Sequence, residues 1–144
     1  MTHGISRRAL LASTAAAGCS AALCVPALGQ GAGGRVVVIG GGFAGATCAR
    51  FLKRMDPRLI VTLVEASPVF VACPLSNSVI AGLRDIAAQQ FTLDKLADDG
   101  VTLTRAPASG INTQTRVVTL TNNSRVSYDR LVVAPGIDIR WDAL

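Results

Sequence analysis

The sequence predicts an α/β fold, a parallel sheet with helices against it joined to an antiparallel β-meander. Three observations carry that expectation. Val36-Val37-Val38-Ile39 is an unbroken branched apolar run of the kind that forms a strand buried on both faces. A glycine-rich break, a helical stretch and a second apolar run, Leu59 to Val64, follow and complete a β-α-β unit. From Val101 onward the period changes to two. Val101-Thr102-Leu103-Thr104 and Arg116-Val117-Val118-Thr119-Leu120-Thr121 alternate branched and polar residues, with Asn122-Asn123-Ser124 as a turn signal.

Taken in order, residues 1–29 combine a basic start, an Ala/Leu-rich run and small residues near Ala27 and Gly29. That is the plan of a secretory signal, which takes no part in the fold. Ser6-Arg7-Arg8-Ala9-Leu10-Leu11 resembles a twin-arginine export signal. Cleavage after Gly29 and delivery to the periplasm are therefore expected, with no stable membrane span left afterwards; a retained anchor is the alternative. Residues 30–34 (QGAGG) form a flexible entry. The helix from about Ala44 to Met55 carries Ala46 and Ala49, small enough to lie close to the sheet, and Asp56-Pro57 ends it.

Beyond Glu65, Pro74 suits the first position of a short helix and Gly82 its end. Cys73 would then stand at or just before a helix N-terminus, where a thiolate is stabilised. Phe91 to Asp99 reads as a second short helix, closed by Gly100. Tyr128 to Gly136 returns to a buried strand that stops at a glycine. Residues 30–144 thus read as the first segment of one domain, incomplete at its carboxyl end.

Charge and composition narrow the partners. Residues 30–144 carry twelve Lys/Arg against nine Asp/Glu, a net of +3, and the basic residues are scattered. With one Trp, one Tyr and four Phe to stack on bases, nucleic acid is an unsuitable partner, whereas a mildly positive surface suits an acidic protein. The single histidine, His3, lies in the signal, which excludes zinc sites, haem attachment and a histidine triad from the rest; no metal site is expected. Cys19 and Cys24 leave with the signal, so Cys48 and Cys73 remain and allow one disulfide. Cys48, among alanines, reads as a packing residue, Met55 and the phenylalanines as core, and Asp98-Asp99 and Arg50/Lys53/Arg54 as solvated faces.

The chemistry concentrates in Gly40-Gly41-Gly42-Phe43-Ala44-Gly45, a G-x-G-x-x-G between strand and helix, with Glu65 twenty residues beyond Gly45. Gly40 permits the tight turn, Gly42 lets the backbone approach a pyrophosphate, and Gly45 lets the helix sit against the sheet. The amides opening the helix, around Phe43 and Ala44, and its positive dipole end stabilise phosphate charge. Glu65 accepts from a ribose hydroxyl. A dinucleotide ligand is expected; a glycine-rich turn with no ligand is the plain alternative.

Together with Tyr128-Asp129-Arg130-Leu131-Val132-Val133-Ala134-Pro135-Gly136, these features resemble flavoproteins with two dinucleotide-binding domains, the pyridine nucleotide-disulfide oxidoreductase superfamily. The resemblance implies a Rossmann-like FAD-binding domain whose first glycine motif holds FAD and whose strand end, Ala134 to Gly136, passes near the flavin. Pro135 stands where the family has threonine, which removes one hydroxyl and one N–H. Ala108 matches a position that offers backbone groups to adenine.

Within that superfamily, Cys73-Pro74-Leu75-Ser76-Asn77-Ser78-Val79-Ile80-Ala81-Gly82 is similar to the flavin-attachment segment of the flavoprotein subunit of flavocytochrome c sulfide dehydrogenase. This implies FAD held covalently by a thioether from Cys73 to the flavin 8α-methyl carbon, sulfide oxidised to zero-valent sulfur, and electrons passed to a c-type cytochrome subunit. An ordinary thiol at Cys73, or its pairing with Cys48, is the alternative. A quinone-linked sulfide oxidoreductase or another FAD-dependent oxidoreductase of the superfamily is the competing activity. A non-enzymatic FAD-binding fragment is the third reading. The family's second glycine motif, carboxyl-terminal region and redox cysteines have no counterpart in residues 1–144, so the resemblance names no catalytic residue in this segment.

Overall fold

The computed structural model describes residues 33–137 and 140–143; the expected export signal lies outside them. Strand β1 (Arg35–Ile39) runs parallel to β2 (Ile60–Val64) on one side and to β9 (Arg130–Val133) on the other, and β5 (Thr102–Thr104) adds to the far side of β2. The sheet order is β5-β2-β1-β9, so the chain winds outward from β1 first one way and then the other. Register is simple: Val38 stands opposite Leu63 and Val132.

Because side chains alternate across a strand, β1 feeds two cores. Val36 and Val38 pack with Val61, Leu63 and Ala49 of helix α1 (Phe43–Met55). Val37 and Ile39 pack on the opposite face with Val118, Leu120 and Tyr128. That second face is covered by the meander, in which β6 (Ala108–Asn112), β7 (Val117–Leu120) and β8 (Arg125–Ser127) pair antiparallel. The layers are therefore helix, parallel sheet, meander, with Val38 and Leu63 at 0 % exposure in the middle. Burying a side chain of this size stabilises by roughly 1.5–3 kcal/mol.

One ion pair ties the ends of neighbouring strands. Asp129 accepts from the Arg35 main-chain N–H (2.8 Å) and from its guanidinium Nη2 (3.0 Å), and the Asp129 N–H donates back to Arg35 O (2.8 Å). The Arg35 guanidinium beside it holds the Asp129 carboxyl down at about 2.

Several expectations are corrected. Val101 to Thr104 does not join the meander: Thr102–Thr104 is the edge strand of the parallel sheet. A half-exposed edge strand alternates in the same way as a meander strand, so period alone does not separate them. Phe91 to Asp99 is not one helix. Gln90–Thr92 forms β4, which pairs antiparallel with β3 (Val69–Val71), and only Lys95–Asp98 is helical (α3) before Gly100. Pro74 does not open a helix either. It sits in a turn closed by Ser76 N–H to Cys73 O (3.0 Å), with Leu75 at φ 70, and helix α2 covers Ser76–Ile80. Cys73 is therefore two residues outside the cap of a five-residue helix. Gly82 does end α2, with Leu83 N–H to Ser78 O (2.9 Å) and Gly82 N–H to Val79 O (3.0 Å).

The phenylalanines and Met55 are not core: Phe43, Phe51, Phe91 and Met55 are exposed and Phe70 is half-buried. The charged faces are less free than expected. Asp99 accepts from Arg50 Nε (2.6 Å) and lies 3.6 Å from Arg54, and Lys53 donates to Pro57 O (2.7 Å) and Leu59 O (2.8 Å). Cys48 is half-buried and, like the exposed Cys73, a free thiol.

Candidate dinucleotide site

The glycine loop lies at the carboxyl end of β1, where the strand order turns back between β2 and β9. In open α/β sheets that crevice is where ligands bind. Gly40 N–H donates to Val64 O (2.8 Å) and Ala134 N–H to Ile39 O (2.8 Å), so the ends of three strands converge on the loop.

The three motif glycines differ in what they make room for. Gly40 has φ +99, and a Cβ there would stand 2.1 Å from Ala134 O. At Gly45 a Cβ would meet Gly40 O at 1.8 Å and Val38 Cγ1 at 3.3 Å. Both are required by the protein's own packing. Gly42 is not: its φ is −68, and a Cβ would find only Phe70 Cε2, at an ordinary 3.8 Å. Within this chain nothing demands glycine at 42. The space it leaves is open to an approach to the backbone from outside.

Gly42 also caps α1 without a side-chain hydrogen bond, and the first turn holds no acid. The helical ladder begins with Ala46 N–H to Gly42 O (2.9 Å), so the amides of Phe43, Ala44 and Gly45 precede it. Three amides, a positive dipole end and no resident carboxylate on the helix suit a phosphate.

Glu65 faces the loop from the end of β2. One carboxylate oxygen accepts from Gly41 N–H, and the other accepts from Ser67 N–H (2.8 Å). Two main-chain amides thus fix a half-buried carboxylate beside the glycine loop, with acceptor capacity left for hydroxyls.

On the other side of the loop is an apolar cavity of about 250 Å³, lined by Gly41, Gly42, Phe43, Phe70, Ala72 and Phe91 among others. Phe43 and Phe70 meet edge to face with ring centroids 5.0 Å apart. Sequence reasoning assigned these rings to the core and so missed Phe70 and Phe91 as site residues. The available signal was their position on the two short strands after Glu65. Ala72 is buried in this wall, and the exposed Cys73 is the next residue along the chain, outside the lining.

The structure thus draws Gly40, Gly42, Phe43, Ala44, Gly45, Glu65 and Ala134 together, while Cys73 follows the wall residue Ala72 without lining the cavity. Gly136 follows Ala134 at φ +79 with open space around it. Ala108 stands apart, in β6, packed against the meander-side core. Among the described residues no cluster of histidine, cysteine and carboxylate side chains suits a metal, and no helix is long and apolar enough to cross a membrane.

A sheet whose order turns at a glycine loop, with an acid closing the second strand and a meander over one face, defines a dinucleotide-binding α/β domain of the Rossmann type. Residues 34–141 match the sequence pattern of the pyridine nucleotide-disulphide oxidoreductases, and the chain belongs to that family. Over 45 residues, 31 % of this chain and 94 % of the other, it is 58 % identical to the sulfide dehydrogenase (flavocytochrome c) flavoprotein chain of Chlorobaculum thiosulfatiphilum. It is 30 % identical over 102 residues to the sulfide-quinone reductase of Aquifex aeolicus, covering 70 % of this chain and 24 % of that one. The X-ray structure of the sulfide:quinone oxidoreductase from the same organism superposes with a TM-score of 0.70 at 28 % identity, over 75 % of this chain and 25 % of the other. The chain spans about a quarter of the length of these two matches.

Proposed function

We propose that this chain binds FAD and serves the oxidation of sulfide to zero-valent sulfur, passing electrons to a c-type cytochrome subunit in the periplasm after twin-arginine export. The observation that carries the binding half is the unfilled approach to Gly42 beside the amides of Phe43 to Gly45. The substrate half is supported by the likeness to a sulfide dehydrogenase flavoprotein chain, named for its flavocytochrome c, and to a sulfide-quinone reductase.

FAD fits the residues present. The helix amides and Gly42 would hold the diphosphate, Glu65 a ribose hydroxyl, and the aromatic cavity an apolar face. When bound, the flavin supplies two-electron chemistry; the protein's part is to bind, orient and exclude water. Cys73, an exposed free thiol directly after the cavity-wall residue Ala72, is the residue proposed to tether the ring. Its sulfur would lose a proton and bond to the 8α-methyl carbon, which loses one hydrogen as a proton. Forming that C–S bond would release two protons and two electrons in all, which a two-electron acceptor such as dioxygen would take up as hydrogen peroxide.

A quinone-linked oxidoreductase is the second reading, favoured by the match to the Aquifex enzyme over most of the described chain. Two measurements decide. Denatured protein should carry in-gel flavin fluorescence that Cys73→Ser abolishes while FAD still binds; fluorescence persisting in that variant refutes the tether. Sulfide-dependent reduction of a c-type cytochrome should exceed that of a soluble quinone; the reverse order favours the second reading.

A further inference from the structure

We infer that Gln89 is the positioning residue for flavin attachment, because its two ends clamp the chain on either side of Cys73. The inference rests on the covalent reading above and names what holds the thiol in place. Gln89 is the one buried polar side chain among the described residues, 4 % exposed. Its main-chain O accepts from Ala72 N–H (2.9 Å). Its side-chain Nε2 donates to Pro74 O (2.9 Å), and its Oε1 accepts from Arg84 Nε (2.7 Å), the amide orientation that satisfies both groups.

The residues before and after Cys73 are thus fixed to one buried anchor. Apolar packing does little for this stretch. Residues 73–77 are exposed, and beyond Ala72 the segment offers no buried side chain until after α2. Leu75, at φ 70, occupies a left-handed conformation that costs a leucine about 1 kcal/mol or more, so the turn needs outside support. A buried side-chain amide with both its nitrogen and its oxygen paired is specific in geometry, since losing either contact leaves a desolvated group unpaired. Arg84 keeps the Gln89 amide from rotating. A thiol attacking carbon must be held close to the reacting atom, and a displacement of about 1 Å costs on the order of 100-fold in rate.

The test uses the protein expressed with FAD, comparing the parent with Gln89→Leu, which keeps the volume but not the amide, and Arg84→Ala, an exposed position safe for folding. Total bound FAD and the acid-stable covalent fraction are measured separately. Total FAD should stay within about twofold, while the covalent fraction formed in a fixed time falls on the order of tenfold in Gln89→Leu and less in Arg84→Ala. A merely structural role would move both quantities together. In flavin-free protein, hydrogen exchange at the Ser76 amide should quicken on the order of tenfold in Gln89→Leu. If the parent carries no covalent flavin, the covalent reading fails, and unchanged Ser76 exchange then overturns the clamp as well. An unchanged covalent fraction in both variants, or a parallel loss of covalent and total FAD, overturns the inference.

Discussion

The β1–α1–β2 unit and the excursion from Ala66 to Asp94 flank the same glycine loop and are held by opposite means. In the first, packing dictates nearly every position. Val36, Val38, Val61, Leu63 and Ala49 are buried, and Gly40 and Gly45 are set by contacts under 2.2 Å that any side chain would make with backbone. In the second, α2 has no buried residue, and Leu75, Ile80, Leu83, Ile86 and Phe91 face outward. Apart from the β3–β4 ladder and the buried Ala72 and Leu93, a few polar contacts fix it: the Gln89 clamp, the Schellman bonds after α2 and the Arg105–Asp94 pair. A rigid loop gripping a diphosphate needs the first construction. A segment that presents a thiol needs exposure, and the second construction provides it.

The sharpest way to break this contrast is to fill the packed side. Gly45→Ala or Gly40→Ala should cost on the order of 3 kcal/mol in chemical denaturation, because backbone carbonyls must move. Near-wild-type midpoints for both would mean that the loop is not set by packing.

Glu65→Ala removes a carboxylate held by two amides and should weaken FAD binding by about 1.5–3 kcal/mol, read by titration of flavin fluorescence. An unchanged affinity would leave Glu65 as a loop brace alone.

A smaller effect belongs to the strand ends. With Asp129 at about 2 in the fold and 3.8 when free, its contribution to stability is present above 3.8 and is lost as pH falls towards 2. Asp129→Asn should lower the melting temperature modestly at neutral pH, and its gap to the parent should close between those values. A gap that does not change with pH would assign the tie to the main-chain bonds rather than to charge.

The same contrast explains what could be read beforehand. The first unit was legible because local sequence and tertiary packing agree there: branched residues in the strands, small ones where helix meets sheet, glycines where backbones touch. The fold class, the βαβ boundaries, the turn at Asn122 to Ser124 and the return strand after Tyr128 all followed. Thr102 to Thr104 was misplaced because an edge strand shows the alternation of a meander. Gln90 to Thr92 pairs with Val69 to Val71 across nearly twenty residues, which no local pattern reveals. Leu75 carries no mark of its left-handed backbone, so the turn after Cys73 read as a helix start. Phe43, Phe70 and Phe91 read as core because apolar content is visible in a sequence and an open cavity is not.

Gly42→Ala tests the central claim most directly. A Cβ there meets only Phe70, at 3.8 Å. The lower conformational entropy of the unfolded chain roughly offsets alanine's poorer capping, so stability should stay within about 1 kcal/mol of the parent. FAD affinity, measured on the same preparation, should fall on the order of tenfold or more, since the added methyl occupies the approach to the diphosphate. A variant that keeps its stability and binds FAD as tightly as the parent would contradict the account.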